Sequence, residues 1–362
     1  MNSKPGCVLI MAGGTGGHVF PALAVARELI NRGVRVVWLG TRRGLETRAV
    51  PASGLPIELK AIAMRGLRHT GVLNWLLLPF TLPRAMLQAF TVMRRCRPNV
   101  AISFGGYVAG PGGLVAMLTG TPLLIHEANA VPGFTNKWLA LFARQILTGF
   151  PNGFISYAHA RQVGNPVRAE IARIAAPEVR LANRSGRLRV LVVGGSQGAR
   201  VFNEVMPQAI KLVPPALRPD IRHQCGRNQH VATYAAYGGA RAEVFQFIDN
   251  MADAYAWADI VVSRAGAMTV TELAAAGCCS VLVPFPGAVD DHQTANARYL
   301  VSHDAAVLMP QMEFTPVRIA TLLQELAPNR ELIVKMAVAA RGVAITDAAD
   351  AVASACEEVI RE

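Results

Sequence analysis

Apolar runs of four to six residues recur along the chain, and apolar stripes repeating about every 3.6 residues follow several of them. Cys7–Met11 reads as a strand and Phe20–Asn31 as a helix. Val34–Leu39, Val100–Phe104 and Pro122–Ile125 read as further strands with helical material between them. These runs are continuous rather than alternating, which marks strands covered on both faces. The rhythm restarts after residue 185. Leu188–Val193, Ile221–Gln224, Ile260–Ser263 and Ser280–Pro284 read as strands, Val201–Leu212 and Thr269–Ala276 as helices. Strand–helix alternation of this kind builds parallel sheets. The pattern therefore predicts an α/β chain of two Rossmann-like parallel-sheet domains facing a cleft. Gly164–Arg168 is the expected hinge, giving domains 1–164 and 165–346, and the polar span 183–189 reads as a loop. A last helix within 347–362 could pack on either half.

Length and composition agree with that outline. The chain has 362 residues and 38.7 kDa, 52% hydrophobic and 17% charged. That supplies apolar material for two cores and excludes disorder as the main state. The six cysteines show no C-x-x-C spacing, so neither a disulfide framework nor a zinc site is expected, which fits a reducing compartment. The apolar run at 7–12 is too short for a signal peptide and reads as a buried strand. The longest uncharged stretch, 98–125, is punctuated by eight Gly and Pro residues from Gly105 to Pro122, so no spanning helix is expected. Charge is unevenly spread. Residues 1–164 hold 17 Lys/Arg and 4 Asp/Glu, a net +13, whereas residues 165–362 hold 19 and 20, a net −1. One half is thus suited to an anionic partner, nucleic acid or acidic lipid.

The candidate chemistry lies in glycine-rich turns between strands and helices. Gly13-Gly14-Thr15-Gly16-Gly17-His18 is the first and Gly194-Gly195-Ser196-Gln197-Gly198-Ala199 the second; Gly105-Gly106-Tyr107 follows the strand ending at Phe104. Such turns let backbone N–H groups approach an anionic or polar ligand at a helix N-terminus. The dinucleotide fingerprint fails, because Val19 stands where its third glycine belongs and the second strand ends without an acidic residue. No P-loop is present, and a dinucleotide oxidoreductase ranks last. In the run from Ser263 to Glu272, the helix start suits a diphosphate and Glu272 a ribose. Gln293 and Asn296 share a helix face where amides could read sugar hydroxyls. Asp290, Asp291 and His292 are adjacent and cannot easily converge on one ion, and no D-x-D occurs, so no obligatory metal and no cofactor are expected.

Taken in order, Gly13–His18, Gly105–Pro111, His126-Glu127-Ala128-Asn129, Gly164–Arg168, Gly194–Ala199, Ser263–Glu272 and Asp291–Ala297 closely resemble the MurG family, bacterial N-acetylglucosaminyltransferases of the lipid stage of peptidoglycan synthesis. The resemblance spans essentially the whole chain. It implies the GT-B fold and inverting transfer of GlcNAc from UDP-GlcNAc to the 4-hydroxyl of MurNAc in undecaprenyl-diphospho-MurNAc-pentapeptide. It also implies a donor site in the C-terminal domain, an acceptor site in the N-terminal one, and a last helix that packs back on the N-terminal domain. Donor contacts carried over by motif are Thr15, Gly16, Gly17, Asn129, Arg168, Ser196, Ile248 at the uracil, Ala267, Met268, Thr269, Val270, Thr271, Glu272 and Gln293. Acceptor contacts are Gly105, Gly106, Tyr107, His126 and Asn129. His18 is the expected general base, since an imidazole titrates near neutrality, with Glu127 as the rival. Arg168 and helix N-termini would stabilise the leaving UDP without a metal.

The basic half then acquires a reason. Val72–Phe80 is apolar, too short to span, and ringed by cations. Arg65, Arg68, Trp75, Leu76, Leu77, Phe80 and Arg84 are the expected contacts with anionic lipid, joined by Lys137, Trp138, Leu141, Phe142 and Arg144. The expected location is peripheral, on the cytoplasmic face of the bacterial inner membrane. Nucleic acid is not expected, because no nucleic-acid motif is present and aromatics are 6%. Two rivals remain. A UDP-GlcNAc 2-epimerase of the same fold would act on soluble donor alone and need no such patch. A non-catalytic membrane-anchoring subunit would not need both glycine-rich halves in one chain.

Overall fold

The apolar runs do become parallel strands. The structure, a computed structural model, describes residues 6–64, 78–151, 154, 156–195 and 198–362. Its chain divides into two compact units, Met1–Arg168 with Ile345–Glu362, and Ala169–Ala344. In the first unit, strands β1 (Cys7–Ala12), β2 (Arg35–Thr41), β3 (Glu58–Ile62), β4 (Val100–Gly105), β5 (Leu123–Glu127), β6 (Gln145–Thr148) and β7 (Ala160–Gln162) form a sheet of order β3-β2-β1-β4-β5-β6-β7. Every pairing in it is parallel.

The two-residue period of a strand explains the layers. Val8, Ile10 and Ala12 of β1 face one apolar cluster, and Cys7, Leu9 and Met11 face another on the opposite side. Helix α1 (Gly16–Asn31) covers the first with Val19, Ala22, Val25, Ala26 and Leu29, a stripe at helical spacing. Helices α2 (Glu46–Ala52), α3 (Leu78–Cys96), α4 (Ala109–Leu118) and α5 (Phe134–Leu139) complete the unit. Of these, α3, α4 and α5 cover the second face, through Ala85, Ala89 and Met93, through Ala109, Val115 and Ala116, and through Leu139.

The second unit repeats the plan. After the short helices α6 (Ala169–Ala172) and α7 (Pro177–Leu181) come β8 (Arg189–Val193), α8 (Arg200–Leu212), β9 (Asp220–Gln224), α9 (His230–Tyr237), β10 (Ala242–Phe245), α10 (Met251–Trp257), β11 (Ile260–Ser263), α11 (Ala267–Ala276), β12 (Cys279–Leu282), α12 (His292–Val301), β13 (Ala306–Leu308), α13 (Pro316–Leu326) and α14 (Arg330–Gly342). Sheet order is β10-β9-β8-β11-β12-β13, again all parallel. Phe202, Met206, Ala209 and Ile210 of α8 pack with Ile319, Ala320 and Leu323 of α13 over Val190, Val192, Ile260 and Val262.

The last helix, α15 (Ala348–Arg361), returns to the first unit and buries Val352, Ala353, Cys356 and Val359 in the cluster under α1. Arg32 at the end of α1 latches it, donating to Ser354 Oγ, Glu357, Asp350 and its own helix's Glu28. All six cysteines are buried thiols. Among the described residues no helix is long and apolar enough to cross a membrane.

Candidate active site

Each sheet reverses strand order once, and open α/β sheets bind ligands beyond the carboxyl ends of the two strands flanking that reversal. In the first unit those strands are β1 and β4, and their ends carry the first glycine turn and Gly105–Tyr107. A bulge brings the two ends together: Met11 pairs with Ser103, but Ala12 pairs with Gly105. Trp38, fully buried on β2, donates its indole N–H to the Ala12 carbonyl at 2.9 Å. The two turns then touch. A Cβ on Gly106 would lie 2.1 Å from the Gly13 carbonyl oxygen, and Gly106 has φ +85°. Only glycine fits there.

His18 stands in the first turn of α1, half-buried, with Nδ1 3.3 Å from the Thr15 hydroxyl. Its ring edge lies over Gly105, where a Cβ would approach Nε2 to 3.1 Å. Thr15 is the N-cap in extended backbone, and the first turn holds no acidic side chain. The N–H groups of Gly16 and Gly17 therefore open toward the same end as the His18 ring.

Two expected residues are engaged by the protein itself. Glu127 is buried, and both its oxygens are occupied. Asn129 N–H and Nδ2 reach Oε1 at 2.9 and 3.3 Å, while Gly133 N–H and Asn136 Nδ2 reach Oε2 at 3.0 and 2.9 Å. A carboxylate clasped by four N–H groups ties the end of β5 to the loop at 129–133 and to the start of α5. His126 is fully buried against Phe104, its Nε2 3.0 Å from the Gly164 carbonyl, which it meets as a donor. Burial pushes its pKa down and keeps it neutral. Its side chain pins the start of the 164–168 segment at Gly164. Beside it, Asn165 donates to the Ala128 carbonyl at 3.0 Å, next to Asn129. Asn129 and Arg168 are half-buried.

In the second unit the reversal lies between β8 and β11. Gly194 and Gly195 leave β8. Ser196 lies outside the described residues. Gly198 has φ +75°, and a Cβ on it would meet the Cys225 carbonyl oxygen at 2.2 Å. From β11 the chain turns at Gly266, the N-cap of α11, which has neither a side-chain cap nor an acid in its first turn. The N–H groups of Ala267, Met268 and Thr269 are consequently open to an anion. Val270 is fully buried, and Thr271 turns its hydroxyl back to the Ala267 carbonyl at 2.9 Å. Glu272 is half-buried and accepts from the Tyr255 hydroxyl at 3.1 Å.

Gln293 Oε1 accepts the Phe285 N–H at 2.9 Å, which fixes the oxygen end of its amide. Asn296 is buried and donates to the Ala265 carbonyl at 3.2 Å, which braces the turn before α11. The Ile248 N–H donates to Gln224 Oε1 at 2.9 Å, while Gln224 Nε2 donates to the Gly195 carbonyl at 2.9 Å. Gln224 thus ties the Ile248 segment to the glycine turn, a link no motif announces. The sequence reading missed a second residue of this kind, Glu46 beneath the first turn.

On the first unit's outer surface, Phe80 of α3 is 75% exposed and Trp138 of α5 59%; Leu87, Phe90, Phe134, Leu141 and Phe142 are exposed too. Arg84, Arg94, Arg95, Lys137 and Arg144 accompany them at the surface. Arg65, Arg68, Trp75, Leu76 and Leu77 lie outside the described residues. Among the described residues no group of three His, Cys, Asp or Glu side chains could hold a metal ion.

Known proteins place this geometry. The glycosyltransferase family 28 N-terminal domain matches residues 8–148, and the family's C-terminal domain matches residues 189–352. A Marinobacter nauticus protein named UDP-N-acetylglucosamine–N-acetylmuramyl-(pentapeptide) pyrophosphoryl-undecaprenol N-acetylglucosamine transferase is 52% identical over 97% of this chain and 96% of its own. A Nitrosococcus oceani protein of the same name is 50% identical over 97% and 98%. The crystal structure of Acinetobacter baumannii MurG superposes with a TM-score of 0.85 at 41% identity, covering 98% of this chain and all of that one. With both of its sheets reversing at glycine turns and likeness running end to end, the chain belongs to glycosyltransferase family 28 and, within it, to the MurG N-acetylglucosaminyltransferases.

Proposed function

We propose that this chain transfers GlcNAc from UDP-GlcNAc to the 4-hydroxyl of MurNAc in undecaprenyl-diphospho-MurNAc-pentapeptide, with inversion at the anomeric carbon. The full-length likeness to enzymes of that name carries the reading. The second unit holds the donor. Open N–H groups of Ala267–Thr269 meet the diphosphate, Glu272 meets the ribose hydroxyls, the Ile248 segment meets uracil, and Gln293 and Ser196 complete the set. The first unit offers the acceptor along Gly105–Tyr107 and Asn129.

His18 takes the proton from the 4-hydroxyl while that oxygen attacks the anomeric carbon. The bond from that carbon to the diphosphate breaks, and its electron pair leaves on UDP. Thr15 holds the imidazole through Nδ1. Arg168 and the α11 N-terminus stabilise the charge growing on the leaving group, in place of a metal. Outward-facing Phe80 and Trp138, with Arg84 and Lys137, seat the unit on anionic lipid at the inner membrane's cytoplasmic face.

Labelled UDP-GlcNAc and a short-chain lipid acceptor test this directly. The expected product is lipid-linked label, formed equally with and without EDTA. Label found only in free ManNAc or UDP-ManNAc would establish an epimerase, and donor binding without any product a non-catalytic subunit. His18→Ala is expected to lower kcat at least about 100-fold, the usual contribution of a general base, with little change in UDP affinity.

A further inference from the structure

Beneath the first glycine turn lies a carboxylate that the mechanism above does not use. Glu46 opens α2 and is fully buried. Its Oε1 accepts the N–H and the hydroxyl of Thr41 at 2.6 and 2.7 Å; its Oε2 accepts the N–H of Gly14 at 3.1 Å. The Thr41 hydroxyl in turn accepts the Gly44 N–H at 2.9 Å. Three glycines make room for it. A Cβ would come within 2.1 Å of the carboxylate from Gly44, 2.7 Å of its Cγ from Gly40, and 3.0 Å of Oε1 from Gly13. A charge this deep is costly unless hydrogen-bonded, and here each bond goes to the end of β2 or to the turn that leads into α1.

We propose that Glu46 is the positioning residue of the first glycine turn: anchored on Thr41, its carboxylate holds Gly14 and thereby the loop that presents His18. The proposal rests on the transferase reading for its consequence in turnover, but not for its geometry. Gly14 has φ +94°, so this peptide has many other conformations open to it, and the Glu46 bond selects one.

Glu46→Gln separates these roles. Glutamine keeps the volume and can still accept from Thr41 through its oxygen, but its NH2 then faces the Gly14 N–H, donor against donor. Thr41→Val is the control, since it weakens the anchor and leaves the Gly14 bond. Hydrogen–deuterium exchange of peptides covering residues 12–18, thermal midpoints, and kcat with KM for each substrate are read on the full chain. For Glu46→Gln, exchange faster by about tenfold and kcat lower by at least about tenfold are expected, with a midpoint no lower than that of Thr41→Val, which keeps both near wild type. The proposal is overturned by unchanged exchange, by kcat within twofold of wild type, or by turnover that simply follows the midpoint across the two variants. If the wild-type chain transfers no GlcNAc, the functional reading fails and the exchange result still decides the role of Glu46 in the turn.

Discussion

Single side chains show how far residue type reveals a role. His18, His126 and His223 are the same residue in three settings. His18 is half-buried at a helix start beside Thr15, His126 is sealed under the 164–168 segment, and His223 is fully buried with Nδ1 2.8 Å from the Tyr237 hydroxyl. Burial pushes the pKa of His223 down to about 3. Its protonation therefore favours the unfolded chain, where the ordinary value is about 6.5. Above that pH it contributes no pH dependence. As pH falls from about 6.5 toward 3, the second unit is expected to lose up to about 1.4 kcal/mol per pH unit from this group. His223→Gln should flatten that slope in denaturant titrations between pH 6 and 4, and an unchanged slope would refute the assignment. Motif spacing singled out His18 and Glu127 alike as proton acceptors. It could not show that four N–H groups converge on Glu127, because those donors come from positions 129, 133 and 136, in a loop and in α5.

At the scale of elements, the interior strands other than β6 were legible, and the edges were not. β1, β4 and β8 are buried runs of apolar residues, and a continuous run of that length leading into a glycine turn suits a strand covered on both faces. β3 and β7 are the edges of the first sheet and carry Glu58, Lys60, Arg161 and Gln162, so their strand character comes from pairing rather than from pattern. Helix α3 shows the converse. Ala85, Ala89 and Met93 give it a narrow buried stripe, while Phe80, Leu87 and Phe90 face outward with Arg84. Outward aromatics on α3 and α5 make a measurable prediction. The double variant Phe80→Ser with Trp138→Ser should bind anionic vesicles at least about tenfold more weakly, because each exposed aromatic can bury area in lipid. Its affinity for UDP should not change. Equal vesicle binding by variant and wild type would remove this face from the membrane reading.

For the whole molecule, the decisive feature is the chain's return. α15 lies far from α1 in sequence yet fills the same apolar cluster with Val352, Ala353, Cys356 and Val359, latched by Arg32. A fully buried valine contributes roughly 1.5–3 kcal/mol, and a domain's net stability is only about 5–15 kcal/mol. A chain ending at Ala344 should therefore lose the cooperative unfolding of its first unit while the second, complete within 169–344, keeps its own transition in calorimetry. A first-unit transition unmoved by the truncation would contradict this packing. By itself the sequence determined the α/β class, the two parallel sheets and the glycine turns at their strand ends, since periodicity and turn chemistry are local properties. Tertiary structure alone decided what lies behind those turns: Glu46 under Gly14, Gln224 between Gly195 and Ile248, and α15 against α1. Those partners meet across 24 to 325 residues of chain, and hydrogen bonding and packing between distant segments leave no periodic trace.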